Sequence, residues 1–430
     1  MRKLALICAL ALTALLGTTP GALAAPPTTA VDQLRWFVDA TNRAPISDSE
    51  LQHHFSPGLL NAAGGTAGIN ATFTQLGPLE FGQVKQDQPN SAAATATGGA
   101  GEILVTVHTD TNGLLDGLRP TPVGPTPTSW SQLDSQLRAF DSRVSYTSSV
   151  IDSDGRCHEV HGVNANTQRP LGSAFKLYVL GALGQAVTEH KASWDEKLAI
   201  REDWKSLPSG VLQNSPAGTE YTLAQYADYM ISLSDNTATD HLIHRLGTAA
   251  VERQLFRFGN SRPSATIPFM TTRNLFVLKG IKTDAELDQY LALSRPAKAA
   301  ALRATEQVPL SLFTMWTKPK KIDQVEWFAS PNDLCRAYAG LLGMNQPQID
   351  HALSINDAGL SLDHAQYPTV WFKGGSEPGV LTLNYLVRDN RGRTVVSNVL
   401  LSNPSKGFSP VNDAFKGINI ARGGIQLALR

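Results

Sequence analysis

RPTPVGPTPT, residues 119–128, is the stretch that most limits how this chain can fold. Proline offers no backbone N–H and fixes φ, so a run this rich in proline suits neither a helix interior nor a central strand. It reads as a semi-rigid linker. A chain of 430 residues has room for two or three domains. The linker separates a small unit, residues 25–118, from a large one, residues 129–430.

The first residues carry a processing pattern. Arg2 and Lys3 precede the apolar run LALICALALTALL, and Ala22-Leu23-Ala24 supplies the small residues read by signal peptidase. The run falls short of the about 20 residues needed to span a bilayer. Cys8 lies inside it rather than at its end, which argues against lipid attachment there. We therefore expect residues 1–24 to be a signal peptide and the mature protein to be exported, without a stable membrane anchor. Two cysteines remain after cleavage, Cys157 and Cys335. An oxidising compartment permits a bridge, but their spacing does not choose between a bridge and two buried thiols.

Formal net charge is zero, so nothing points to nucleic acid or an anionic surface as a partner. The KPKK run at 318–321 reads as a solvated loop. HExxH, CxxC and clustered-histidine patterns are absent from the sequence, and neither a metal nor a cofactor is expected.

In the small unit, Val31, Leu34, Phe37 and Val38 recur at helical spacing. Ser47 with Glu50, and Ile46 with Leu51, form a capping box and a hydrophobic staple that start a second helix. A third is expected over 67–76, stopped by Gly77-Pro78. The strand-like stretches LEFGQV, SAAATAT and EILVTVHT follow, which makes this a small α+β domain. His53, His54 and His108 read as core or surface residues rather than as a site.

The large unit opens with a helix capped by Ser129 and Gln132, whose Trp130, Leu133, Leu137 and Phe140 share one face. VSYTSSVID and CHEVHGV read as strands around the turn Ser153-Asp154-Gly155. Helices fill the middle, and VLTLNYLVRD and TVVSNVLLSN form a late hairpin around Asn390-Arg391-Gly392 before a last helix. Strands at both ends with helices between imply an α/β domain whose sheet joins distant parts of the chain.

Chemistry enters with RPLGSAFKLYVLGAL. Ser173 and Lys176 stand three residues apart on a helix, which brings the side chains together. A serine hydroxyl needs a base to become a nucleophile, and a lysine can serve if burial or a nearby cation lowers its pKa. The helix N-terminus favours the negative charge that develops. Alone, the spacing fits equally an amphipathic helix whose lysine snorkels to water.

Two further elements bear on it. Between two helices in TLAQYADYMISLSDNTATDHLIHRLG stands Ser234-Asp235-Asn236. Asp235 is suited to capping the second helix, Ser234 offers a hydroxyl that can pass a proton to a leaving group, and Asn236 offers an amide for a substrate carbonyl. The third element is Lys373-Gly374-Gly375-Ser376 at the start of the late hairpin, where an extended substrate can lie close to backbone. Lys373 can equally guard a sheet edge against aggregation. Placed within about 4 Å of Lys176, it would repel the ammonium charge there by about 4 kcal/mol at an effective dielectric near 20.

S-x-x-K, S-D-N and K-T-G in this order are the signature of active-site serine β-lactamases and penicillin-binding proteins. From Ser129 to the C-terminus the chain resembles the class A β-lactamases. The resemblance implies a β-lactamase/transpeptidase-like domain in which Ser173 forms an acyl-enzyme. It makes Lys176 the general base, Ser234 a proton shuttle and Lys373 the partner of the substrate carboxylate. Asn236, Gly374, Gly375 and Ser376 would bind substrate, with the backbone N–H groups of Ser173 and Ser376 as the oxyanion hole.

Two departures stand out. Gly374 replaces the family's threonine or serine, a loss that Ser376 can make good. No glutamate sits in the context that activates the deacylating water in class A enzymes. Ser234 and Lys373 lie 139 residues apart, more than in the family, with the added length at 262–328. Glu286, Glu306 and Glu326 fall there and read as surface or helix residues. The extra first domain, the enlarged region and the KGG motif resemble actinobacterial serine hydrolases related to the cephalosporin esterase-like protein of clavulanic acid gene clusters. That likeness implies a steroid-isomerase/polyketide-cyclase-like first domain. The expected activity is acylation at Ser173 by β-lactams or related esters. The alternatives are a D-alanyl-D-alanine peptidase and a non-catalytic sensor of β-lactams or muropeptides.

Overall fold

Pro120 and Pro122 lie in a β-strand, Leu115–Pro122, and not in a linker. The computed structural model describes residues 29–99, 101–207, 209–409 and 411–430. The expected signal peptide lies outside them. The prolines are tolerated because this strand is the edge of a four-stranded antiparallel sheet, joined on one side only to strand Gly101–Thr109. Linker character is thus confined to the residues after Pro122, up to the cap at Ser129.

The first domain packs helices Ala30–Arg43, Asp48–His54, Pro57–Ala62 and Thr66–Leu76 against that sheet. The third of these was not anticipated. Thr29 and Asp32 form a reciprocal capping box that starts the first helix, and Ser47 accepts the N–H of Glu50 to start the second. Along Gly101–Thr109 the alternating Ile103, Val105 and Val107 are buried against Leu34, Phe37, Phe55 and Phe73. His53 and His108 are exposed, while His54 is stacked on Trp36 with ring centroids 3.6 Å apart.

The second domain holds a five-stranded antiparallel sheet. In spatial order its strands are Thr369–Glu377, Val380–Arg388, Thr394–Ser402, Arg143–Ile151 and Cys157–Val163. Both ends of the domain contribute, as the strand pattern required. Strand Val380–Arg388 is buried through all but its last residue because both sheet faces are covered. Helices Trp130–Arg138 and Asn412–Ala428 cover one face, over Phe372, Tyr385, Val387 and Val399. The central helices, Lys176–Thr188 and Pro331–Gly343 among them, cover the other, over Trp371, Leu386, Val396 and Leu400.

Long-range ties hold these layers. Cys157 and Cys335 form a disulfide across 178 residues, with Cα atoms 6.2 Å apart. It joins the last strand of the sheet to helix Pro331–Gly343, and so closes the question the spacing left open. Between the domains Arg119 pairs with Asp357 and donates to Ser361 Oγ at 3.2 Å. Val411 and Phe415 pack into the first domain's core. The enlarged stretch forms helices Thr272–Gly280, Asp284–Ala292 and Arg295–Thr305. It returns through Phe328–Ala329, which pairs antiparallel with Arg169–Pro170 just ahead of Ser173. Lys320 of the KPKK run donates to the carbonyls of Lys279 and Lys282, so it braces this stretch rather than standing free in solvent.

Candidate active site

Ser173 sits in a one-turn 3-10 helix, Gly172–Phe175, that feeds the α-helix Lys176–Thr188. The turn is held from behind. Leu171 N donates to Trp327 O at 2.9 Å, Thr382 Oγ1 donates to Leu171 O at 2.9 Å, and Phe175 stacks on Trp327 with centroids 3.7 Å apart. From Leu171 to Leu180, Ser173 alone keeps partial solvent access. Lys176, one turn on, is fully buried.

The second element is the break between helices Leu223–Ser232 and Asn236–Leu246. Asp235 is the cap the sequence suggested, and more. Its buried carboxylate accepts the N–H groups of Ala238, Val211 and Leu212 at 2.7, 2.6 and 2.8 Å. Burial raises its pKa even so, against the pull of those donors and of Lys176. Ser234 takes the left-handed conformation, φ 55°, which is costly for a residue with a side chain. That conformation turns both its carbonyl and its hydroxyl toward Lys176.

Lys176 Nζ donates to Ser234 O and Asn236 Oδ1, each at 2.7 Å, and stands 3.3 Å from Ser234 Oγ. Lys373, on strand Thr369–Glu377, is also buried. Its Nζ donates to Ser234 Oγ at 3.0 Å and to Gly374 O at 2.8 Å. One hydroxyl therefore separates the two lysines, so their nitrogens lie no farther apart than those two contacts allow. The two lysines share Ser234 Oγ, and Lys373 is buried rather than a surface guard. Asn236 differs from expectation. Its Nδ2 donates to Leu207 O at 3.0 Å and its Oδ1 accepts from Lys176, so this buried amide holds the Lys176 side chain.

Two glycines bring the strand against the serine. A Cβ on Gly375 would fall 2.6 Å from Ser173 N and 2.1 Å from Leu171 O. One on Gly172, whose φ is +50°, would fall 2.8 Å from Ser376 N. No side chain fits in either place, and this approach gathers the N–H groups of Ser173 and Ser376 into one small volume. Ser376 is exposed at the rim and Gly374 is buried beneath it.

The structure adds residues that no motif marked. Ser209 Oγ donates to Ser234 O at 2.6 Å and so supports the strained turn. Glu286 is exposed and caps its own helix, and Glu306 follows the end of another. Glu326 corrects the surface reading: it is buried, and its Oε2 accepts Gly172 N at 3.2 Å. The apolar run Val325-Glu326-Trp327-Phe328-Ala329 was the available signal, since an acid inside such a run is carried into the core. Asp240, also buried, accepts the N–H groups of Thr272 and Arg273 at 2.7 and 2.9 Å. It thereby anchors the enlarged region beside the site, and burial pushes its pKa up to about 7.

Two family models and several solved structures resemble parts of this chain. Residues 132–302 match the model of the Beta-lactamase enzyme family, and residues 25–115 match that of the ORF 12 gene product N-terminal. No curated protein matches the chain. A beta-lactamase from Sphaerobacter thermophilus DSM 20745 is similar at 19% identity and TM-score 0.48, covering 70% of this chain and 97% of its own. PBP-A is similar at 19% identity and TM-score 0.45, covering 71% and 99%. A beta-lactamase from Burkholderia phymatum is similar at 15% identity and TM-score 0.47, covering 70% and 97%. The stretch 132–302 that matches the Beta-lactamase enzyme family model carries Ser173, Lys176, Ser234 and Asn236.

Proposed function

We propose that the protein is an exported serine hydrolase that is acylated at Ser173 by β-lactams or related esters. The observation that carries this reading is the buried pair Lys176 and Lys373 sharing Ser234 Oγ beside the one partly accessible residue of the turn. Burial and a neighbouring cation both oppose charge on Lys176. A neutral amine has two N–H groups, and Ser234 O and Asn236 Oδ1 take both. In this reading the neutral amine accepts the Ser173 proton as Oγ attacks the substrate carbonyl. The N–H groups of Ser173 and Ser376 receive the oxyanion, a term worth about 3 kcal/mol per donor. Ser234 relays the proton from Lys176 to the leaving group, and Lys373 faces the substrate carboxylate.

Export is supported by the pattern of residues 1–24 and by the disulfide, which persists in oxidising compartments. We read the first domain as steroid-isomerase/polyketide-cyclase-like, on its helices followed by a four-stranded sheet. Intact-mass spectrometry after mixing with penicillin G and with p-nitrophenyl acetate tests the acylation. A transient adduct on Ser173 supports a hydrolase, and a persistent one supports the sensor reading. Release of D-alanine from a stem-peptide model without either adduct favours the peptidase.

A further inference from the structure

A buried acid cluster lies directly behind the serine turn. Glu326 Oε2 accepts two backbone N–H groups, Gly172 at 3.2 Å and Trp327 at 2.9 Å. Its Oε1 is buried and meets no N–H or hydroxyl donor among the described residues. The Glu377 carboxyl bears on it from the strand end. Glu377 is salt-bridged to the fully buried Lys279 and accepts Trp316 Nε1 at 3.1 Å.

The position of these groups gives them a task. Gly172 directly precedes Ser173, and Glu377 directly follows Ser376. Glu326 therefore links the two backbone segments whose N–H groups form the expected oxyanion hole. We propose that Glu326 is a positioning residue for acylation, which holds the turn carrying Ser173 against the strand end carrying Ser376. This rests on the acylation at Ser173 set out above.

The link depends on a proton. Burial, reinforced by the charge of Glu377, pushes the Glu326 carboxyl up to about 8. At neutral pH it keeps its proton, so that only one of the two carboxyls is charged. The charged groups facing it are Glu377 from the strand end and Lys279 from helix Thr272–Gly280; Lys320 lies beyond, on the carbonyl of Lys279. When Glu326 ionises, two carboxylates oppose each other with one buried lysine between them, and the segments separate. A shift of about 1 Å at a reacting site can cost about a hundredfold in rate.

The test is the pH dependence of acylation in the full chain, followed by stopped-flow with nitrocefin and with p-nitrophenyl acetate. The wild type is expected to lose rate as pH rises through about 8. Glu326→Gln keeps an acceptor for Gly172 and stays uncharged beside Glu377 without titrating. It should hold the neutral rate and lose the alkaline fall. Glu377→Gln removes the second carboxylate and should lose that fall too, which provides a second reading if one variant folds poorly. Glu326→Ala, lacking the link, should be slow at every pH. An alkaline fall unchanged in both glutamine variants, with normal adducts, overturns this proposal alone. Absence of any wild-type adduct overturns the Ser173 reading and the proposal with it.

Discussion

Lys176 and Lys373 meet at a single hydroxyl: Ser234 Oγ lies 3.3 Å from one side-chain nitrogen and 3.0 Å from the other. They come from a helix and a strand far apart in sequence, and both are buried. Two cations so placed would be costly in a folded core, and a neutral Lys176 relieves that cost.

Removing the base is the most direct check. Lys176→Ala should slow acylation by about a thousandfold, within the usual range for a positioned general base. Ser173→Ala should abolish the adduct altogether. Both are read by intact mass against time, and undiminished acylation in either variant contradicts the assigned roles.

In the proposed function Lys373 acts on the substrate carboxylate as well as on Ser234. Lys373→Ala should cost about 10- to 100-fold with penicillin G, the worth of a hydrogen bond to a charged group. A neutral ester has no carboxylate to lose, so its KM should change less than that of penicillin G. Equal losses on both substrates would show that Lys373 serves only to hold Ser234.

Asp240 makes stability depend on pH in an identifiable direction. Its folded-state value of about 7 exceeds the ordinary 3.8, so the folded chain binds the proton more tightly than the unfolded chain. Its contribution is complete below 3.8 and is lost as pH rises through about 7. Asp240→Asn should flatten that part of the Tm–pH curve, at a cost of about 1 kcal/mol for the backbone hydrogen bond the amide cannot accept. Parallel curves for variant and wild type would rule the effect out.

The disulfide offers a further measurement. Replacing Cys157 and Cys335 by serine should lower unfolding free energy by about 2–4 kcal/mol, mainly by freeing the unfolded chain. Urea unfolding of the variant against the oxidised wild type reads this, and coincident curves would show that the bridge adds nothing.

Helix starts at Ser129 and Thr222 and the cap at Asp235 were legible from the chain alone, since each depends on residues only a few positions apart. Strand alternation likewise revealed a sheet drawn from both ends of the second domain. Pairing across long separations was not legible. That Pro120 and Pro122 sit on a sheet edge, that Cys157 finds Cys335, and that Asn236 turns to Lys176 follow only from how elements pack. Glu326 is the clearest case. The apolar run around it marks only its burial, and its partner is decided when folding carries it 154 residues back to Gly172. Local backbone preferences act over a few residues, whereas contacts of this kind exist only once the whole core has closed.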